Sequence, residues 1–129
     1  MADNFEKLQC WQACQELKAF LKEQVLSKLP KEEKYDLYSQ ILKASRSSTA
    51  NIAEGWGRYH YKDNIKFLLN ARGSVAELLD HTLEAKECNY ISESTLGKIR
   101  TLIDKCIQLI NGYIRYLRKQ SEEDIKNKD

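Results

Sequence analysis

The chain has 129 residues with a single proline and five glycines; 31% are charged and 42% apolar. That composition fits one folded domain able to bury its own core without covalent staples, and it excludes a disordered chain. A net charge of +2 and a pI near 8.3 are too mild to mark a dedicated nucleic-acid binder, whose domain pI usually exceeds about 9. The distribution of charge therefore has to decide.

The opening "ADNFEKLQ" has neither the basic nor the apolar region of a secretory signal, and no apolar run approaches the length of about 18 that spans a membrane. Cys10, Cys14, Cys88 and Cys106 form no CxxC pair. A soluble, cytoplasmic chain with reduced thiols, no membrane and no cofactor is expected. The first periodic segment predicts a helix over 4–27, with Phe5, Leu8, Ala13, Leu17, Phe20, Leu21 and Val25 on its apolar stripe. Pro30 breaks it and favours a new start at Lys31, where Glu32 and Glu33 suit the positive end of a helix.

The second helix is expected from Lys31 to Gly55, with Tyr38, Ile41, Ser45, Ser48 and Ile52 on its seam. Gly55 and Gly57 would end it in the left-handed conformation glycine allows. The third is expected from Asp63, as N-cap, to Glu87. It carries one row through Leu68, Ala71, Val75 and Leu78, and a second through Ile65, Leu69, Ala76, Leu79 and Leu83. A stripe that wide predicts a helix buried on most sides. Gly73 in mid-helix costs about 1 kcal/mol against alanine, which predicts a close approach between the small faces of the second and third helices. The fourth helix is expected from Ser94 to Lys119. Leu96, Ile99, Ile103, Cys106, Ile110, Tyr113 and Leu117 form its seam, with Leu102, Leu109 and Tyr116 as an additional row. The surplus predicts contact with another subunit, because monomers seldom expose large apolar patches.

No segment alternates like a strand. The fold class expected is all-α: an antiparallel up-down-up-down four-helix bundle over residues 1–120, helices of roughly 36 Å each, and a charged, frayed tail over 121–129.

"LPKEEKYDLYSQI", "ANIAEGWGR", "FLLNARGSVAEL" and "ECNYI" follow one another as in a single bacterial family. The chain resembles the four-helix-bundle proteins first named for genes within intervening sequences of 23S ribosomal RNA, over about Leu8 to Leu117. The resemblance implies a homopentameric ring and no established enzyme activity. A related branch, the accessory variability determinant proteins of diversity-generating retroelements, works beside a reverse transcriptase and contacts nucleic acid.

The residues between Ser47 and Asp63, "SSTANIAEGWGRYHYKD", carry most of the candidate chemistry. "GWG" lacks both the strand and the third glycine of a dinucleotide fingerprint. It reads as a helix end with Trp56 plugging the corner. Asn51, Glu54, Arg72 and Glu77 are candidates for a half-buried structural network, with Glu54 or Glu77 neutralising Arg72 and Glu54 able to pair with Arg58. The alternative is a ligand-binding or catalytic pocket made by Glu54, Arg72, Glu77 and His60. No nucleophile or base is joined to them, so no catalytic residue is assigned. Cys10 and Cys14 with His60 or His81 depart from zinc-site patterns, so no metal ligand is assigned. In an up-down bundle one pole collects Arg58, Lys62, Lys66, Arg115, Arg118 and Lys119, with Tyr59 and Tyr61 among them. Cations and stacking aromatics in one place suit RNA or DNA. Beside the pocket reading, the other alternative is a purely structural homo-oligomer. The expected protein is a non-enzymatic oligomeric scaffold. Its expected partners are copies of itself, RNA or DNA, and a nucleic-acid enzyme such as a reverse transcriptase.

Overall fold

The computed structural model describes residues 4–127. All regular structure among them is helical: α1 Gln9–Gln24, α2 Leu37–Trp56, α3 Tyr61–Glu87 and α4 Glu93–Lys126, with short 3-10 turns at Phe5–Lys7, Leu26–Lys28 and Lys31–Glu33. Among the described residues no helix is long and apolar enough to cross a membrane.

Leu29 is extended, at φ −74° and ψ 139°, as the residue before a proline prefers to be. The helix expected from Lys31 makes only one 3-10 turn there and starts again at Leu37. Residues 31–36 contain no buried side chain, whereas Leu37 is buried, so packing rewards the helix only from that point. Leu37 also takes the seam place expected for Tyr38, which is exposed. The amide of Leu37 donates to the Glu33 carboxylate at 3.4 Å.

The four helices are unequal, at 16, 20, 27 and 34 residues, or roughly 24 to 51 Å at the usual rise. The segment expected to fray continues α4 through Lys126. It has no glycine or proline after Gly112 to stop it, and good helix formers need no burial to extend an existing helix. Residues 128–129 lie outside the described residues.

The core is one apolar cluster to which every helix contributes: Leu17 and Leu21, Ile41 and Ile52, Leu68 and Leu78, Ile99 and Ile110 are all fully buried. Each such side chain contributes about 1.5–3 kcal/mol by leaving water. Polar residues in the seam are satisfied locally. Ser45 donates to Leu42 O at 2.9 Å, Ser48 to Ser45 O at 2.7 Å and Thr82 to Leu78 O at 2.8 Å. Neighbouring helices are also pinned by polar contacts: Lys18 to Thr49 at 3.1 Å, Ser47 to Ser74 at 2.8 Å, Arg72 to Asn111 at 2.8 Å and Lys105 to Glu16 at 3.4 Å.

Three expectations change. A side chain at Gly73 would meet nothing within 4 Å, and the close approach of α2 and α3 is at Gly55 instead. There a Cβ would lie 2.7 Å from Asn64 Oδ1 and 3.0 Å from both Asn64 O and Phe67 Cβ. The second row of α3 is not enclosed: Leu69 and Leu83 are 39% and 38% exposed, and Ala76 is exposed as well. On α4, Ile114, expected outside the core beyond the additional row with Ile107, joins the core, whereas Tyr116 of the additional row stays 47% exposed.

The helix ends also differ from the glycine reading. Gly57 caps α2 at φ −76°, and the positive φ belongs to Asn89, at 62°. Asn89 lets Tyr90 N reach Ala85 O and its own amide reach Lys86 O, both at 2.9 Å, closing α3 as a Schellman motif. Asp63 falls in the first turn of α3, whose N-cap is His60; a carboxylate there still favours the positive helix end.

Candidate functional site

The entry to α1, the α2–α3 corner and the stretch of α4 from Gln108 to Gln120 line a cleft of about 1060 Å³. Its walls are aromatic and cationic: Trp56, Tyr59, Tyr61, Tyr113 and Tyr116 line it together with Lys7, Arg58 and Arg115, and no carboxylate does. A smaller groove of about 380 Å³ lies beside it, between Lys62 and Ile65 of α3 and Arg118 and Glu122 of α4.

Gly55 sets the corner. Its lack of a side chain lets Asn64 and Phe67 close against the end of α2, and the chain then turns through Gly57 to His60 before α3 begins. Trp56 meets Phe5 edge-on at 6.4 Å, and Phe5 meets Trp11 at 5.3 Å, so the tryptophan plugs the corner as its sequence position suggests. Tyr59 stands out from it, 94% exposed, with its ring edge-on to His60 at 5.0 Å. Arg58 lies 4.8 Å over the Phe67 ring, and its Nε is 3.4 Å from Glu54. Both members of that pair are open to solvent, so it orients Arg58 more than it stabilises the fold.

On the facing wall the Tyr113 and Tyr116 rings stack at 6.2 Å with 16° between their planes. They lie three residues apart on α4, which puts them on one face. Asn64 Nδ2 donates to the Tyr113 hydroxyl at 3.4 Å, while the buried Asn64 Oδ1 has no hydrogen-bond partner among the described residues. Burial pushes the Tyr113 phenol up, opposed by the Asn64 hydrogen bond. Burial, then the Asp124 carboxylate, pushes Tyr61 up. Both phenols therefore stay neutral near pH 7, when they can stack and donate hydrogen bonds but carry no charge. The Cys10 thiol, also on the wall, is pushed up to about 12, mainly by burial, which removes it as a nucleophile.

Of the residues expected at the basic pole, Arg58, Tyr59, Tyr61 and Arg115 share the cleft, and Lys62 and Arg118 share the groove. Lys66 and Lys119 are exposed and line neither. Among the described residues no carboxylate lies within ion-pair distance of Lys62, Lys66, Arg115, Arg118 or Lys119.

The polar network expected of Asn51, Glu54, Arg72 and Glu77 does not assemble. Asn51 bonds back to Ser47 within α2, Arg72 reaches Asn111, and Glu77 pairs with His81 at 2.9 Å. Glu54, Arg72 and Glu77 are exposed, and Arg72 bonds Asn111 in place of the carboxylate partner its row position suggested. Of the residues weighed for a catalytic or ligand pocket, only His60 reaches the cleft. Among the described residues no cluster of three or more His, Cys, Asp or Glu side chains is placed to hold a metal.

Lys7 and Asn64 are cleft residues that the sequence reading missed. Tyr113 and Tyr116 were read only as packing. The spacing of Tyr113 and Tyr116 was visible, but facing them toward Tyr59 and Tyr61 needs the three-dimensional register of α4 against α3.

The family described as 23S rRNA-intervening sequence protein matches residues 6–112. The chain belongs to that family. The match spans all four helix starts and ends one residue before Tyr113, so Tyr113, Arg115 and Tyr116 of the cleft lie beyond it. No curated protein matches the chain.

Proposed function

With that family membership as the premise, we propose that the protein is a non-enzymatic, self-associating helical scaffold that binds RNA or DNA through the pole holding the cleft. The observation that carries this reading is a lining of five aromatics, of which Tyr59 and Tyr116 are exposed, and three cations, with no carboxylate among the described lining residues. Phosphates favour the cations, and exposed rings offer stacking faces. An antiparallel up-down-up-down course supports it by bringing the end of α2, the start of α3 and the end of α4 to one pole. Contacts of near-constant residue sum between α2 and α3, such as Ser47 with Ser74 and Gly55 with Asn64, are the mark of antiparallel neighbours.

Self-association is supported by the unpartnered apolar row of α3, where Leu69 and Leu83 stand more than a third exposed. A homopentameric ring would repeat the basic pole five times. A reverse transcriptase or another nucleic-acid enzyme is the natural protein partner for such a ring.

The test is binding of labelled RNA and DNA at low salt by the wild type and by the double variant Arg115→Glu, Arg118→Glu, with solution mass measured in parallel. Binding by the wild type, lost in the variant at unchanged mass and helicity, is the expected result. Equal binding by both, or none by either, overturns the nucleic-acid reading. A monomeric mass overturns the self-association.

A further inference from the structure

Resting on the reading that this pole meets nucleic acid, we infer that the cleft is a site for an unpaired base, so that the substrate class is single-stranded RNA or DNA and not duplex. Phosphate contacts alone would not distinguish the two forms, since both carry the charge. The aromatic wall does distinguish them. In a duplex each base face is already stacked and each Watson–Crick edge paired, so aromatic rings find no free face to stack on. A single strand can turn a base out into a pocket and stack it on a side chain.

The geometry supplies what such a base needs. Tyr59 is 94% exposed and lines the cleft together with the stacked pair Tyr113 and Tyr116. Arg58 and Arg115 line the same space, where they can hold the flanking phosphates. The Asn64 side-chain N–H and the Tyr113 hydroxyl share a long 3.4 Å hydrogen bond, while Asn64 Oδ1 packs against Gly55. That pair offers donors and acceptors to a base edge. The space, about 1060 Å³, is at the upper end of the usual range for ligand pockets. No carboxylate in the lining opposes an anionic strand.

Gly112 gives a clean way to close the site. It lines the cleft, and an added Cβ there would have only the Arg115 guanidinium within 4 Å beyond its own helix backbone, at 3.7 Å. Gly112→Phe should therefore plug the cleft while leaving the core intact and improving helix propensity. In a Trp11→Phe background, Trp56 reports from the cleft wall by its fluorescence. The probes are a short dye-labelled oligoadenylate and the same strand annealed to its complement, compared at equal salt.

The single strand should bind roughly tenfold more tightly than the duplex, in line with the stacking energy of one base, and should quench Trp56. Gly112→Phe and Tyr59→Ala should each remove that advantage and keep the salt-dependent duplex binding. Equal affinity for both probes, or a single-strand preference untouched by Gly112→Phe, overturns the base site while leaving the basic pole standing. Failure of both probes to bind at low salt overturns the basic pole and the base site together.

Discussion

The same substitution at two glycines should change stability in opposite directions. Gly55 and Gly73 both lie inside helices, α2 and α3 respectively. Replacing either with alanine removes the entropic penalty of a helical glycine, a gain of about 1 kcal/mol. At Gly73 nothing opposes that gain, because the added Cβ points into open space. At Gly55 it would lie 2.7 Å from Asn64 Oδ1 and 3.0 Å from the Asn64 carbonyl oxygen and Phe67 Cβ. Two of these three atoms are backbone or Cβ, so they cannot rotate away, and α2 and α3 must separate. Overpacking of this kind costs about 1–3 kcal/mol, leaving Gly55→Ala destabilised by about 1 kcal/mol net. The two variants should differ by about 2 kcal/mol, or very roughly 6–10 °C in melting temperature for a chain of this size. Thermal unfolding followed by circular dichroism measures it. Gly55→Ala melting at or above Gly73→Ala would refute the reasoning, and with it the placement of the α2–α3 contact.

Ile110→Ala, which empties a fully buried site, should cost about 2–5 kcal/mol by denaturant titration. Leu83→Lys, at a position 38% exposed, should leave the fold within about 0.5 kcal/mol but lower the solution mass. Ser92→Ala removes the hydrogen bond to Thr95 N at 3.1 Å and should cost about 1 kcal/mol in the same titration. Cys88 is exposed and Cys10, Cys14 and Cys106 are buried, so a thiol reagent should modify Cys88 alone in the native state and the other three only after unfolding. The Tyr90 hydroxyl donates to Glu33 at 2.8 Å, and that bond is the main reason its phenol is pushed up to about 12 from 10.0. The fold thus holds this proton more tightly than the unfolded chain does. The stability it contributes is complete below about pH 10 and is lost as pH rises toward 12. Tyr90→Phe should flatten that alkaline loss.

Helix number and core were legible because burial writes a period into the sequence. Leu17, Leu21, Leu68, Leu78, Ile99 and Ile110 were all assigned to core stripes, and all are buried. Gly73 misled because a mid-helix glycine looks the same whether it faces a neighbouring helix or solvent; only the register of α2 on α3 tells them apart. Arg72 misled similarly. Its row implied a buried charge needing a carboxylate, whereas the side chain is exposed and bonds to Asn111. Charge order, once the helices are laid side by side, brings Arg58 and Arg115 together, and both line the cleft. The cleft as a whole was not legible, because Lys7 and Asn64 lie on elements far apart in sequence from Tyr113 and Tyr116.

The central claim is that cations at this pole meet phosphates, and its most direct measurement is the salt dependence of affinity for a single-stranded oligonucleotide. The logarithm of affinity should fall linearly with the logarithm of salt concentration. Removing Lys62, Arg115 or Arg118 one at a time should each lower the slope by about 1, with no such change for Lys98→Ala, whose residue sits near the start of α4. A slope indifferent to Lys62, Arg115 and Arg118, or affinity that does not depend on salt, would contradict it.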